Sequence, residues 1–246
     1  MGENASCEVL EIDFVDVAPL VGGNRARAVN LADYLRTSLS SCDESLNRVR
    51  VLVDADFDHL DCKMATLPLV LTDGRSMESY FLRLSSFEKI FGLALMAEHV
   101  DAKEVLESTV EAATILAAAR EIDRQRSLDL PFQALNLKAF IDVDASGIPT
   151  LRLINMLSQL LTQAGFNGSG VNEVASAVKA AAAILREREP LHVVHGHDLE
   201  RILGEILQAL RYPRQQVSQL IRSTFEVAYI DEYPMLSAVI SFATAS

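Results

Sequence analysis

The chain has 246 residues, of which 50% are hydrophobic and 23% charged, so it is long enough to bury a sizeable core. Its formal net charge of −12 argues against binding nucleic acid through the whole surface, because non-specific affinity comes from neutralising phosphates. Three widely spaced cysteines without a CxxC motif favour a reducing compartment. With no basic leader and no apolar run of membrane-spanning length, we expect a cytoplasmic protein with no membrane partner.

The first third of the chain has the pattern of an α/β domain. Residues 9–17 alternate between apolar and polar and predict a strand. Helical spacing follows over residues 25–39, and residues 49–53 form the near-continuous apolar run typical of a buried parallel strand. Residues 67–71 predict a further short strand. A strand, turn, helix and strand in succession indicate the α/β class.

From about residue 87 onward the pattern is helical. Each predicted helix has an apolar stripe at helical spacing, preceded by a residue that commonly begins a helix. The first residues of these helices are Asp101, Thr150, Asn172, Asp198 and Pro213. Residues 136–149 fit either a strand or an extended crossing. We therefore predict an α/β domain over residues 1–90 and an all-helical domain over residues 91–246.

Three carboxylates follow the apolar run at residues 49–53. Asp54, Asp56 and Asp58 are spaced two apart, and alternation in a continuing strand would place all three on one face. Anions this close repel unless a cation lies between them, and carboxylate oxygens are ligands that Mg²⁺ prefers. The spacing favours a metal site, against the alternative of a solvated strand end. A haloacid-dehalogenase-like phosphatase is disfavoured, because Asp58 stands where that family has Thr or Val.

Two further elements have functional potential. Thr72-Asp73-Gly74 is a turn, and either Ser76 or Asp73 is expected to cap a helix that carries Glu78. The simpler interpretation of Glu78 is a first-turn acid that interacts favourably with the helix dipole. The turn Gly22-Gly23-Asn24-Arg25 has backbone N–H groups and a cation that could hold a phosphate, although paired glycines often mean only a positive φ.

In this order, the three elements resemble the TOPRIM-like proteins of domain of unknown function family 4435. The similarity covers about residues 10–85 well and implies a TOPRIM/Rossmann-like N-terminal sheet domain, lacking its first strand in this sequence, before a helical region. It implies a metal-dependent nuclease of bacterial anti-phage defence. Asp54 and Asp56 would be the metal-binding pair, with Asp58 and Glu78 as supporting acids. The turn at Gly22, Gly23, Asn24 and Arg25 would bind phosphate.

The resemblance also implies a cofactor and partners. These are Mg²⁺ or Mn²⁺, a DNA or tRNA substrate, and an ABC-type ATPase as a protein partner; a homo-oligomer stays open. TOPRIM domains begin with a strand ending in Glu-Gly, whereas this sequence has only Gly2-Glu3 near its start. We therefore expect either a truncated start or the loss of that glutamate. The loss would make the protein a catalytically incomplete binding or regulatory module for an ATPase, which is the rival hypothesis.

Two weaker sets remain. His192, His195 and His197 have a spacing that zinc could use, but a loop ahead of a helix explains them better. Arginines 120, 124 and 126 alternate with acids and are best interpreted as a solvated helix face. A phosphatase or nucleotidyl-transfer enzyme using the same aspartates is disfavoured, since the sequence has no accompanying nucleophile or lysine signature.

Overall fold

The computed structural model describes residues 8–15, 22–39, 48–97, 99–166, 170–213 and 217–244. These described residues are mixed α/β and mostly helical, with two small sheets. Their backbone contacts group into two compact units. The first unit takes the described residues up to Met77 together with those from Glu226 onward, and the second is Glu78–Phe225. The domain division at residue 90 stays a prediction.

The regular elements of the described residues range from strands of three residues to a helix of 25 residues. The strands are β1 Val51–Val53, β2 Leu69–Leu71, β3 Ile141–Val143 and β4 Pro149–Leu151. The α-helices are α1 Asn24–Leu39, α2 Leu84–Glu88, α3 Ala102–Arg126, α4 Leu153–Gln163, α5 Val171–Leu185, α6 Pro190–Val193, α7 Gly196–Ala209, α8 Val217–Thr224 and α9 Pro234–Thr244. A π-helical segment, Lys89–Ala94, continues α2, and 3₁₀ turns occupy Ile12–Phe14, Met77–Phe81, Phe132–Ala134, Leu137–Ala139 and Val227–Glu232.

The sheet of the first unit consists of β1 and β2 in parallel, with Val51 opposite Leu69 and Val53 opposite Leu71. Ala32 of α1 is fully buried in a core cluster that includes Val51 and Val53. The predicted helix and both predicted strands are thus confirmed, with shorter strands than the apolar runs suggested. Because the strands are parallel, their carboxyl ends lie at the same edge of the sheet.

The strand predicted at residues 9–17 is wrong for the part that the structure describes. Ile12–Phe14 is a 3₁₀ turn, in which the N–H of Val15 donates to the carbonyl oxygen of Ile12 at 3.2 Å. Arg27 donates to the same carbonyl and to the carboxylate of Asp13, at 3.3 and 2.6 Å. These local bonds satisfy backbone groups that a strand would give to a neighbour. Residues 16 and 17 lie outside the described residues.

Helix α3 is the centre of the second unit. The carboxylate of Asp101 accepts hydrogen bonds from the N–H groups of Lys103 and Glu104, at 2.9 and 3.1 Å, so the predicted cap is confirmed. Buried alanines from Ala112 to Ala119 give α3 a narrow face that α5 approaches closely. The helix ends at Arg126, and the C-cap residue Ser127 has a left-handed φ of 50°.

The region after residue 90 is not all-helical, because β3 and β4 form an antiparallel hairpin between α3 and α4. Oδ1 of Asp144 accepts from the N–H groups of Ser146 and Ile148, both at 2.9 Å, and Gly147 has a φ of +83°. Asx-type hydrogen bonds of this kind are typical of a tight turn between two strands. Residues 136–149, for which the sequence left a strand and an extended crossing open, are therefore partly strand. Thr150 accordingly lies in β4, and the helix predicted to begin there begins at Leu153.

One more helix start differs from its prediction. Asp198 is not a cap: it lies in the first turn of α7, is 1% exposed, and binds Arg120 of α3. Burial next to a guanidinium, rather than capping, therefore explains this aspartate. The start predicted at Pro213 adjoins residues outside the described ones, and α8 is described from Val217. The start predicted at Asn172 is confirmed within one residue, since α5 begins at Val171.

Candidate functional site

The acidic loop, defined here as residues 54–58, begins where β1 ends. Asp56 has a left-handed φ of 50°, and the N–H of Asp58 donates to the carbonyl oxygen of Ala55 at 2.8 Å. The backbone therefore turns within residues 55–58. The alternation of an extended strand, which was expected to place the three aspartates on one face, does not continue through them. The N–H of Asp56 is anchored at 2.9 Å on the carbonyl oxygen of Arg75, beyond the carboxyl end of β2. One backbone hydrogen bond within the loop and another to the segment after β2 therefore hold the loop in place.

Arg25, in the first turn of α1, contacts all three aspartates. Its Nε donates to the backbone oxygen of Asp54 at 3.1 Å and lies 3.1 Å from Oδ2 of Asp56. Its Nη2 donates to Oδ2 of Asp58. The guanidinium thus supplies the cation that clustered carboxylates need. The charge partner that the sequence assigned to a metal is an arginine in this structure.

A second cation lies on the outer side of the loop. The Nζ of Lys63 is 3.3 Å from Oδ1 of Asp58 and 3.2 Å from Oδ2 of Asp61. Hydrogen bonds to Asp61 and Asp58, reinforced by their charges, raise the pKa of Lys63. Asp58 is 19% exposed and shares its two oxygens between Arg25 and Lys63. Its carboxylate therefore has two cation partners.

Buried polar contacts join the acidic loop to the end of β2. The hydroxyl of Thr72, which is 1% exposed, accepts from the N–H of Ala55 at 3.0 Å and donates to the carbonyl oxygen of Gly74 at 2.7 Å. The Nε2 of His59 donates to the carbonyl oxygen of Thr72 at 2.8 Å. The sequence did not predict a role for Thr72 or His59 at this site. The only available signal was the Thr-Asp-Gly turn itself.

Arg75 was also missed. It is 1% exposed, and its guanidinium carbon lies 4.3 Å from the ring centroid of Phe57. A buried arginine stacked on an aromatic face of the acidic loop adds positive potential and fixes the ring. Arg75 therefore belongs to the structure that supports the loop, both through this stacking and through the carbonyl oxygen that Asp56 binds.

Asp73 has a role that the sequence did not predict. Its carboxylate accepts hydrogen bonds from the N–H groups of Met235 and Leu236, at 2.7 and 3.1 Å, so it caps α9 across 162 positions of sequence. Arg50, just before β1, lies 4.4 Å from the ring centroid of Phe242 in the same helix. That Ser76 or Asp73 caps the segment carrying Glu78, which is the 3₁₀ turn Met77–Phe81, stays a prediction.

Replacing Asp73 by alanine is expected to weaken α9, because two N–H groups at its first turn lose their acceptor, at a cost of about 1–2 kcal/mol. The measurement is hydrogen exchange of a peptide covering residues 234–244, which should lose protection. Asp33→Ala is the control, since Asp33 is an exposed partner of Arg36 on α1. Equal exchange in Asp73→Ala and the natural protein would contradict the capping role.

The remaining acids near the motifs lie as follows. Oδ1 of Asp54 accepts from the N–H of Met77 at 3.1 Å, so this carboxylate stands at the start of the 3₁₀ turn Met77–Phe81. Glu78 is partly buried in that turn and belongs to the second unit. Its first-turn position agrees with the simple interpretation of a dipole-favoured acid. Its catalytic role stays a prediction.

The glycine turn precedes α1 as predicted. Gly22 has a φ of +101°, and a Cβ there would lie 2.9 Å from the Cβ of Ala26, so only glycine fits. Helix α1 begins at Asn24, whose Nδ2 donates to Oδ2 of Asp13 at 3.5 Å. Of the predicted phosphate-binding set, Gly22, Gly23, Asn24 and Arg25, only Arg25 contacts the acidic loop through a described bond. Phosphate binding stays a prediction.

The weaker candidates are placed in the second unit. The rings of His195 and His197 lie 5.3 Å apart, and His192 lies in α6. Within the described ranges, no group of three or more His, Cys, Asp or Glu side chains is placed to hold a metal ion. The arginines of α3 lie in ion pairs: Arg120 with Asp198, Arg124 with Glu121, and Arg126 with Glu173. Arg124 and Arg126 lie on a solvated helix face, as predicted. Arg120 does not, because its side chain is largely buried.

No family model, no curated protein and no solved structure matches this chain. In the part of the chain that the structure describes, no helix combines the length and apolar character needed to cross a bilayer. The acidic loop and its surroundings are therefore the basis on which function is argued.

Proposed function

We propose that the protein is a Mg²⁺- or Mn²⁺-dependent phosphodiesterase that cleaves nucleic acid, of the TOPRIM-like type and acting in anti-phage defence. One observation carries the proposal. Asp54 and Asp56 follow the carboxyl end of a strand in a parallel sheet, beside a cation from the first turn of α1. Ligands of open parallel sheets bind at the carboxyl ends of the strands, where loops from neighbouring elements meet.

The donor set suits the cofactor. Asp54 and Asp56 offer hard carboxylate oxygens, and Mg²⁺ commonly uses one or two carboxylates together with substrate phosphates and water. A pair of acids is therefore enough for such a site. When bound, the metal would neutralise the scissile phosphate and lower the pKa of a coordinated water.

The residues of the chain have their own tasks in this proposal. Arg25 is 39% exposed, so its guanidinium can be reached by a phosphate oxygen. Thr72 and Arg75 fix the backbone of the acidic loop and so keep Asp54 and Asp56 in position. With a net charge of −12, the chain needs such local cations to offset repulsion of a polyanionic substrate.

A second candidate function is a binding or regulatory module for an ATPase, without catalysis. The observation that favours it is the pairing of Asp56 and Asp58 with Arg25, which gives both carboxylates a cation partner from the chain itself. An acidic loop satisfied in this way can be a structural support. The two candidates differ in whether divalent metal and the aspartates matter for activity.

The test is cleavage of tRNA and of single- and double-stranded DNA by the purified protein, with Mg²⁺ or Mn²⁺ and with EDTA. We expect cleavage that EDTA abolishes and that the double variant Asp54→Asn with Asp56→Asn reduces to the rate of protein-free buffer. Asp33→Asn, on the exposed side of α1, is the control with a single charge removed. Cleavage that persists in the double variant, or its absence from the natural protein, would overturn the nuclease proposal; absence would favour the second candidate.

A further inference from the structure

The position of Arg25 is unusual for a cation. The first turn of a helix carries the positive end of the helix dipole, which favours acids and disfavours arginine. Arg25 nevertheless lies there. Its Nε contacts the carboxylate of Asp56 and donates to the carbonyl oxygen of Asp54, and its Nη2 donates to the carboxylate of Asp58. The acidic loop supplies the compensating negative charge through Asp56 and Asp58.

We infer that Arg25 is an internal counter-cation that competes with the divalent metal for the acidic loop, so that it keeps metal affinity low until substrate binds. The inference rests on the proposed function and concerns its regulation. Arg25 holds Oδ2 of Asp56, and Asp56 is one of the two acids assigned to the metal. A guanidinium and a divalent cation at the same carboxylate repel each other, so each weakens the binding of the other.

A substrate phosphate resolves this competition. A phosphate oxygen offers the guanidinium a new anionic partner, and Arg25 is exposed enough to turn toward it. Its departure frees Asp56 for the metal, which gains phosphate ligands at the same time. Metal and nucleic acid are thereby expected to bind cooperatively, each improving the affinity of the other by the same factor.

The other cations around the loop do not replace Arg25. Lys63 is 62% exposed and pairs with Asp58 and Asp61 on the outer side. Arg75 is 1% exposed and stacks on Phe57, and its described bond to Asp56 comes from its backbone oxygen. Among the ion pairs of the described residues, the carboxylate of Asp56 is paired with Arg25. Removing this one guanidinium should therefore change the affinity of the loop for a metal directly.

The experiment measures Mn²⁺ binding to the intact protein without nucleic acid, by electron paramagnetic resonance of free Mn²⁺. Arg25→Gln is expected to bind at least about tenfold more tightly than the natural protein, because repulsion at Asp56 is removed. Arg36→Gln is the matched control: it removes the same charge from the same helix, where Arg36 pairs with Asp33. We expect its Mn²⁺ affinity to equal that of the natural protein.

A thermal unfolding series keeps the test independent of how well Arg25→Gln folds. Without metal, this variant should melt below the natural protein; with millimolar Mg²⁺ it should show the larger rise in Tm, since ligand binding stabilises the folded state. Arg25→Lys keeps the charge but cannot span two carboxylates, and its Mn²⁺ affinity should fall between the two.

Equal or weaker Mn²⁺ binding by Arg25→Gln, or no binding by either protein, would overturn the inference. Its failure is distinguishable from failure of the proposed function, because binding is measured without substrate. A natural protein that cuts nucleic acid, with unchanged affinity in Arg25→Gln, would sustain the nuclease and refute the counter-cation. Tighter Mn²⁺ binding by Arg25→Gln, together with no cleavage by the natural protein, would sustain the counter-cation and refute the nuclease.

Discussion

Replacing Asp198 by alanine is expected to lower the free energy of unfolding by about 3–5 kcal/mol, because it leaves a largely buried guanidinium without its carboxylate. Nε and Nη2 of Arg120 donate to the two oxygens of Asp198 at 3.0 and 2.8 Å. The Arg120 side chain is 19% exposed, and its guanidinium carbon lies 4.6 Å from the ring centroid of Phe132. The pair joins α3 to α7, so the loss affects the core of the second unit.

Urea unfolding followed by far-ultraviolet circular dichroism measures this effect, because most of the helix lies in the second unit. Arg124→Ala is the control on the same helix: its pair with Glu121 is 43% exposed at the arginine and is expected to contribute at most about 1 kcal/mol. The double variant Arg120→Met with Asp198→Leu should recover most of the loss, since apolar side chains replace both charges. A loss under 1 kcal/mol in Asp198→Ala would show that the pair is dispensable.

The second large effect is expected from Phe91→Ala, at about 3–5 kcal/mol, because a buried phenylalanine leaves a cavity that the surrounding core fills only in part. Phe87 and Phe91 are each 1% exposed, with ring centroids 6.1 Å apart and the rings tilted by 50°. Four positions apart, they lie on one side of the segment formed by α2 and its π-helical continuation. That side therefore belongs to the core.

Leu93 offers the matched control, because it is two positions further along and 74% exposed. Leu93→Ala should change the free energy of unfolding by no more than about 0.5 kcal/mol. The same urea titration serves for both variants, and Phe91→Leu should fall between them. Equal midpoints for Phe91→Ala and Leu93→Ala would show that burial at Phe91 does not determine stability.

Local sequence patterns predicted the parts of the fold that depend on local chemistry. The apolar runs gave β1 and β2, the spacing of apolar residues gave α1, and Asp101 gave the start of α3, since each of these signals lies within a few residues. The strand predicted at residues 9–17 failed because alternation alone does not supply a partner strand. The start predicted at Thr150 failed because Asp144 and Gly147 turn the chain into a hairpin first.

The candidate site divides in the same way. The sequence indicated Asp54, Asp56 and Asp58 as a cluster that needs a cation, because like charges at that spacing repel. It placed Arg25 in a phosphate-binding turn and did not pair it with the aspartates 29 to 33 positions later. The bonds from Asp73 to N–H groups 162 and 163 positions away were not predicted. Such pairs depend on where the fold brings distant segments together.

The sequence by itself determined that this is a mixed α/β chain with a helical later part and an acidic cluster after a buried strand. These properties follow from composition, from the periods of strand and helix, and from charge spacing. Only the tertiary structure decided which cation meets the acidic loop, which carboxylate caps α9, and that Asp198 is buried against Arg120. The physical reason is that an ion pair or a cap requires two groups within about 3 Å, and no local pattern encodes that meeting for groups far apart in the chain.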